Sequence, residues 1–217
     1  MTSFLSGLGH VIIVDDDAGI RAALDSLLRA EGFSVRTFAD PFEFLASEIP
    51  QEPSCLLLDV KLGNVNGLDI QDEVRMRDGC LPVIMMTGHG NMPMAVRGMK
   101  AGAIDFLAKP FSDDDLLQAV TDALMFWKNE KESVQLLSIV KNKYSALSVR
   151  EQEVMILAIS GLMNKQIASR LSLSIISVKV HRAHVMKKMG ARSFADLVRY
   201  GELLDIRDPS VTRYQQG

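Results

Sequence analysis

Up to about residue 112, short apolar runs alternate with stretches whose apolar positions recur every three or four residues. The runs are VIIV (11–14), FSVRTF (33–38), CLLLDV (55–60), PVIMMT (82–87) and AIDFLAK (103–109). Between the first two, Ile20, Ala23, Leu24, Leu27 and Leu28 share one helical face. Near-continuous apolar strands separated by helices bury both faces of a parallel sheet. The pattern therefore predicts an α/β, doubly wound, five-stranded parallel sheet.

Beyond residue 112 the period is helical throughout, and neither Pro nor Gly occurs between Pro110 and Gly161. Leu116, Val120, Ala123 and Trp127 mark a last helix of the first domain, taken here as residues 1–127. A polar stretch follows, and then Val134, Leu137, Val140, Tyr144 and Leu147 resume the spacing. Residues 128–144 thus read as a helical linker that prolongs this helix to about Lys143. Its apolar stripe either lines a dimer seam or packs on one of the domains.

Residues 145–217 predict an all-α, four-helix domain. Ser148 and Glu151 form a capping box, and Gly161 stops the first helix. KQIASRLS and IISVKVHRAHVMKKM follow, joined at Leu173-Ser174, and a fourth helix begins after Ser193. Two helices at a tight turn, the second one basic, have the form of a helix-turn-helix. On that second helix Val178, Val185 and Met189 face the core. Lys179, Val180, Ala183 and Lys187 lie opposite, with His181 and Arg182 at the flanks. Such a face suits the DNA major groove, where Lys reads guanine and small apolar groups meet thymine methyls.

Charge sharpens this division. The net charge of −3 conceals −8 over residues 1–144 and +5 over 145–217, which points the second part toward a polyanion. No apolar run reaches the roughly 18–20 residues of a membrane span. The first ten residues lack the basic start of a secretory signal, and Cys55 and Cys80 lack metal or redox spacing. The expectation is a cytoplasmic protein with no membrane partner and two reduced thiols packed in strands.

Ligands of doubly wound sheets bind beyond the carboxyl ends of the strands. Those ends carry Asp15-Asp16, Asp59, Thr87 before Gly88-His89-Gly90, and Lys109-Pro110. A carboxylate cluster at one edge invites a hard divalent cation such as Mg²⁺. Asp17 is better placed as the cap of the following helix.

With these residues in view, the segment from 8 to about 127 resembles a two-component receiver domain. TGHGNMPMAVRGMKAGAIDFLAKPF is close to the FixJ-type branch of that family. The resemblance implies that Asp59 accepts a phosphoryl group from a phosphohistidine on a sensor histidine kinase. Asp16, Asp59 and the Lys61 carbonyl would hold Mg²⁺, with Asp15 helping through water. Lys109 and Thr87 would meet phosphoryl oxygens, and Phe106 is the switch aromatic. The Lys109–Pro110 bond would be cis, and the helix around Pro93–Ala101 would be the moving face. The loop after Asp59 carries Gly63 where the family usually has Pro.

Residues 145–200 likewise resemble the LuxR-type DNA-binding domain. That likeness implies base contacts from Lys179, Val180 and Ala183. It implies further DNA contacts from Asn164, Lys165, Ser177, His181, Arg182 and Lys187. Ile175 and Ile176 replace polar residues usual at the helix start. Together the two resemblances imply a response regulator that dimerises on phosphorylation and binds promoter DNA, and not an enzyme.

Two other readings remain open. Asp15-x-Asp17 mimics the start of the haloacid-dehalogenase pattern of phosphohydrolases, but Ala18-Gly19 follows where Gly-Thr is expected. A DNA-binding protein whose receiver acts without phosphate is the other, suggested by Gly63.

Overall fold

A computed structural model describes residues 8–88 and 92–208. It divides into two compact units, up to Lys131 and from Glu132. The first unit contains β1 (His10–Val14), α1 (Ala18–Ala30), β2 (Ser34–Phe38), α2 (Pro41–Ala46) and β3 (Ser54–Asp59). A two-strand hairpin, β4 (Lys61–Leu62) and β5 (Val65–Asn66), precedes α3 (Gly67–Arg77). Then come β6 (Val83–Thr87), α4 (Met92–Lys100), β7 (Asp105–Ala108) and the start of α5 (Asp113–Ser145).

The five main strands are all parallel, in the order β2-β1-β3-β6-β7. The pleat sends alternate residues to opposite faces, so each apolar run feeds two cores. Val11, Ile13, Cys55, Leu57, Ile84 and Met86 pack with Leu24 and Leu28 of α1 and Leu116, Val120 and Ala123 of α5. Ile12, Val14, Leu56, Leu58 and Met85 pack with Phe44 of α2 and Leu68 and Val74 of α3. β1, β3 and β6 are buried along nearly their whole length, as the interior of the order requires.

Burial of the Cys55 thiol among these side chains pushes its pKa up to about 12. Cys80 departs from expectation: it sits half-buried in the turn before β6, where its N–H donates to Asp78, and not in a strand.

The second unit takes in the end of α5 with α6 (Val149–Ile159), α7 (Asn164–Leu171), α8 (Ile175–Met189) and α9 (Phe194–Leu203). Val140 and Leu147 are buried with Met155, Ile159, Val185, Met189 and Leu197, and Leu136 and Tyr144 pack beside them. Of the two fates open to the linker's second stripe, these residues follow packing on the helical unit. The capping box of Ser148 and Glu151 closes the start of α6. Gly190, at φ +67, ends α8 in the left-handed conformation that glycine adopts without steric cost.

Candidate functional site

The carboxyl edge of the sheet opens into a cleft of about 770 Å³, bordered by Asp15, Asp16, Asp59, Lys61, Thr87 and Lys109. Apart from Lys61, which opens β4, they gather from the ends of four strands. β1 delivers Asp15 and Asp16, β3 ends in Asp59, β6 ends in Thr87, and Lys109 follows β7. A Lys109 backbone N–H bond to the Thr87 carbonyl, 2.7 Å long, extends the ladder by one residue. The Lys109–Pro110 bond is cis.

Lys109 is the electrostatic centre. Its Nζ lies 2.6 Å from Asp15 Oδ2 and 2.7 Å from Asp59 Oδ1. Asp15 is 1% and Asp59 6% exposed, so the ammonium offsets two carboxylates that would otherwise repel in a dry setting. The remaining oxygens are also engaged. Asp15 Oδ1 accepts from the Asp17 N–H at 2.9 Å, and Asp59 Oδ2 from the Lys61 N–H at 2.8 Å.

Burial raises the Asp59 pKa above the usual carboxylate value, against the opposing pull of Lys109. Burial works against the Lys109 ammonium, but its hydrogen bonds to Asp15 and Asp59 prevail and hold its pKa above the usual lysine value. Asp17 stands apart from this chemistry. Its Oδ1 accepts from the Ile20 and Gly19 N–H groups, which lowers its pKa and caps α1.

Two glycines shape the floor. A Cβ on Gly67 would lie 2.3 Å from the Asp59 carbonyl oxygen, so only Gly lets α3 start this close to β3. Gly63 has φ +59 and opens the two-residue loop between β4 and β5. That loop is the primed-turn setting in which Gly is favoured, and it orders the backbone where the family usually has Pro. The Gly63 N–H donates to Asp16 Oδ2 at 3.0 Å. The Gly63-Asn64 pair between hairpin strands was the available signal; the long-range partner had none.

Asp16 is exposed, and its other oxygen accepts no hydrogen bond among the described residues. No three acidic, His or Cys side chains gather into a metal cage among those residues. The cleft is lined by the Asp16 and Asp59 carboxylates and by Lys61, and hard carboxylate oxygens suit Mg²⁺, which keeps several waters and takes one or two carboxylates. Thr87 is buried, and Phe106 is half-buried against Met85 and its neighbours. His89 and Gly90 lie outside the described residues.

In the second unit, Lys165 is exposed in the first turn of α7. Lys179, Val180, Ala183 and Lys187 are exposed along α8. Asn164, Arg182 and Ser177 are engaged within the fold. Arg182 donates to Asn164 Oδ1 at 3.0 Å and lies 5.0 Å over the Phe194 ring, and its burial lowers its pKa. The Ser177 hydroxyl pairs with that of Ser174 at 2.8 Å. His181 is half-buried, with Nδ1 enclosed and unpartnered among the described residues. Sequence reasoning also missed Lys188, whose Nζ reaches the buried Glu151 carboxylate at 2.6 Å. Its spacing of 37 residues gives no local cue.

A parallel sheet that clamps two buried carboxylates on one lysine, on a chain that also carries a helix-turn-helix, defines a signal receiver coupled to a DNA-binding effector. Comparison with known proteins agrees. The response regulator receiver domain family matches residues 11–121, and the luxR family of bacterial regulatory proteins matches residues 145–201. The chain belongs to the response regulators that join these two domains.

Nodulation protein W of Bradyrhizobium diazoefficiens is 47% identical over 196 residues, covering 90% of this chain and 86% of that protein. The response regulator protein TmoT of Ectopseudomonas mendocina is 43% identical over 194 residues, covering 89% and 88%. The solved structure of the response regulator StyR superposes with a TM-score of 0.74 at 40% identity, covering 89% of this chain and 98% of that one.

Proposed function

We propose that Asp59 is the phosphoacceptor of a cytoplasmic transcription regulator, and that its phosphorylation by a sensor histidine kinase promotes dimerisation and promoter binding. The observation that carries this reading is the Lys109 ammonium, 2.7 Å from Asp59 and 2.6 Å from Asp15. Among the described residues, no helix is long and apolar enough to cross a membrane.

In the transfer, an Asp59 carboxylate oxygen attacks phosphorus, the P–N bond to the donor histidine breaks, and an aspartyl phosphate forms. The nitrogen leaves with the electron pair. A carboxylate attacks a dianionic phosphoryl group poorly unless the charge on its oxygens is offset. Lys109 supplies one positive charge there. Asp16, Asp59 and the Lys61 carbonyl would hold Mg²⁺, with Asp15 assisting through water. Held there, Mg²⁺ would add further positive charge to offset the developing negative charge of the transfer.

The Lys61 N–H fixes the second Asp59 oxygen, so the attacking atom is oriented before the donor arrives. After transfer the Thr87 hydroxyl turns to a new phosphoryl oxygen and Phe106 moves into the vacated space. Exposed Val96 and Met99 on α4 supply apolar surface that a dimer would cover.

The second unit binds duplex DNA through α8. Its exposed Lys179 and Lys187, with Lys165 on α7, meet phosphates and base edges. Asn164 and Arg182 act as a pair that braces α8 against α7 and α9, and Ser177 and His181 support the helix from its flanks.

The phosphohydrolase alternative needs Asp15 as nucleophile. The second carboxylate of that pattern, Asp17, is occupied in capping α1, where its Oδ1 accepts from the Gly19 and Ile20 N–H groups. That arrangement favours the regulator. Incubation with a small phosphodonor and Mg²⁺ tests the choice. One stoichiometric label that is lost in Asp59→Asn supports the regulator, and steady turnover of a generic phosphate ester supports the hydrolase.

A further inference from the structure

We propose that Ile176, Val180 and Ala183 make thymine the base this protein selects, by packing on its C5-methyl group. The inference rests on the DNA-binding reading above and adds to it the feature by which a site is chosen.

On an α-helix, residues 176, 180, 183 and 187 succeed one another along a single stripe. The opposite side of α8 is settled by Val178, Val185 and Met189, which are buried in the helical unit. The stripe therefore faces outward. Ile176 is 76% and Val180 47% exposed, and Ala183 is exposed as well. Three apolar side chains thus form the centre of the outer face, and Lys187 ends it. An exposed isoleucine at the second position of a basic helix leaves apolar area in water unless a partner covers it.

The polar side chains that could read bases from this end of α8 are mostly committed elsewhere. The Ser177 hydroxyl is held by Ser174, and Arg182 by Asn164 and Phe194. His181 is half-buried. Lys179 is the long exposed cation left beside the stripe.

The partner is identified by its chemistry. A helix-turn-helix presents the N-terminal part of its second helix to base edges, and Ile176 stands there. The single apolar group in the major groove is the thymine methyl. Cytosine presents an amino donor at the neighbouring position, and covering it with isoleucine strips water from a polar group without replacing the hydrogen bond. Charge complementarity agrees, since α8 has no acidic residue and carries exposed Lys179 beside the stripe and Lys187 at its end. From Ile176 to Ala183 the helix rises about 10 Å. That matches roughly three base-pair steps of 3.4 Å, so the selected thymines fall within about four adjacent base pairs of each half-site.

The test uses the full chain, treated with Mg²⁺ and a small phosphodonor. Duplexes are selected from a random library, and the winner is rebuilt with deoxyuridine for thymine, one position at a time. Each contacted methyl that is removed should weaken binding about fourfold, while random duplex binds equally with either base. Ile176→Ala should bind thymine and deoxyuridine duplexes alike at the position it covers. Lys187→Ala should weaken both equally.

Equal binding of the two duplexes by the wild type overturns the inference and leaves the DNA-binding reading intact. So does a selected site without thymine in the contacted steps, or an Ile176→Ala effect confined to self-association without DNA. Failure to bind any duplex overturns the DNA-binding reading, and this inference with it.

Discussion

The backbone N–H of Gly63 donates to Asp16 Oδ2 at 3.0 Å, joining residues 47 positions apart across the mouth of the acidic cleft. Proline lacks this donor and cannot adopt φ +59. The loop after Asp59 is therefore ordered by a different device from a proline turn: a hairpin whose first loop residue holds an exposed carboxylate.

Gly63→Pro should weaken Mg²⁺ binding about five- to tenfold, the worth of one ordinary hydrogen bond at ~1–1.5 kcal/mol at this solvent-exposed carboxylate. Gly63→Asn, which keeps the N–H and tolerates the left-handed region, should stay within about twofold of the wild type. Titration calorimetry of the unphosphorylated chain reads both. Equal Mg²⁺ affinity in wild type and Gly63→Pro would remove the positioning role.

Asp59 should make the folded receiver less stable at neutral pH than an amide would. Burial raises its pKa in the folded state, so that state holds the proton more tightly than the unfolded chain does. The stabilisation it gives in the protonated form is complete below the ordinary value of 3.8 and is lost as pH rises through the raised folded value. Asp59→Asn should therefore have a higher urea midpoint than the wild type at pH 7, with the gap closing under acid. A lower midpoint at pH 7 contradicts this.

Glu151 has the opposite sign. Lys188 and the Ser148 N–H hold its pKa at about 2 against an ordinary 4.5. Its stabilisation is complete above pH 4.5 and is lost as pH falls toward 2. Glu151→Gln keeps the cap acceptor but loses the charge. It should cost the helical unit about 1–2 kcal/mol at pH 7 and flatten the acid limb of its unfolding, followed by circular dichroism against pH.

Lys187 and Arg182 should behave differently although both are cations of α8. Lys187→Ala should reduce the slope of log K against log salt by about one, the signature of one lost phosphate contact. Arg182→Ala should lower the melting temperature of the helical unit by releasing Asn164 and Phe194, with little change in slope. A full unit of slope lost in Arg182→Ala would return that guanidinium to the phosphates.

How much of this could be read in advance depended on range along the chain. β1, β3 and β6 were legible because strands buried on both faces leave continuous apolar runs. The caps at Asp17 and Ser148 were legible because each partner lies within three residues. Lys109 could be placed at the same edge as Asp15 and Asp59, but not its position between them at hydrogen-bonding distance.

Contacts set by tertiary packing left no sequence mark. Arg182 looked like a free cation because its partners Asn164 and Phe194 come from α7 and α9. Ile176 looked like a simple departure from pattern, and its meaning depends on which way α8 turns when Val178 and Val185 are buried. The linker's apolar stripe could not choose its partner until α6, α8 and α9 were folded around Val140 and Leu147.

The central claim is that Asp59 is the phosphoacceptor, and intact-mass spectrometry tests it most directly. The wild type and Asp59→Asn are each incubated with Mg²⁺ and a small phosphodonor. The wild type should gain the mass of one phosphoryl group and lose it under alkaline hydroxylamine, while Asp59→Asn gains none. A wild type that takes up no phosphoryl group, or an Asp59→Asn protein labelled to the same extent, would contradict the account.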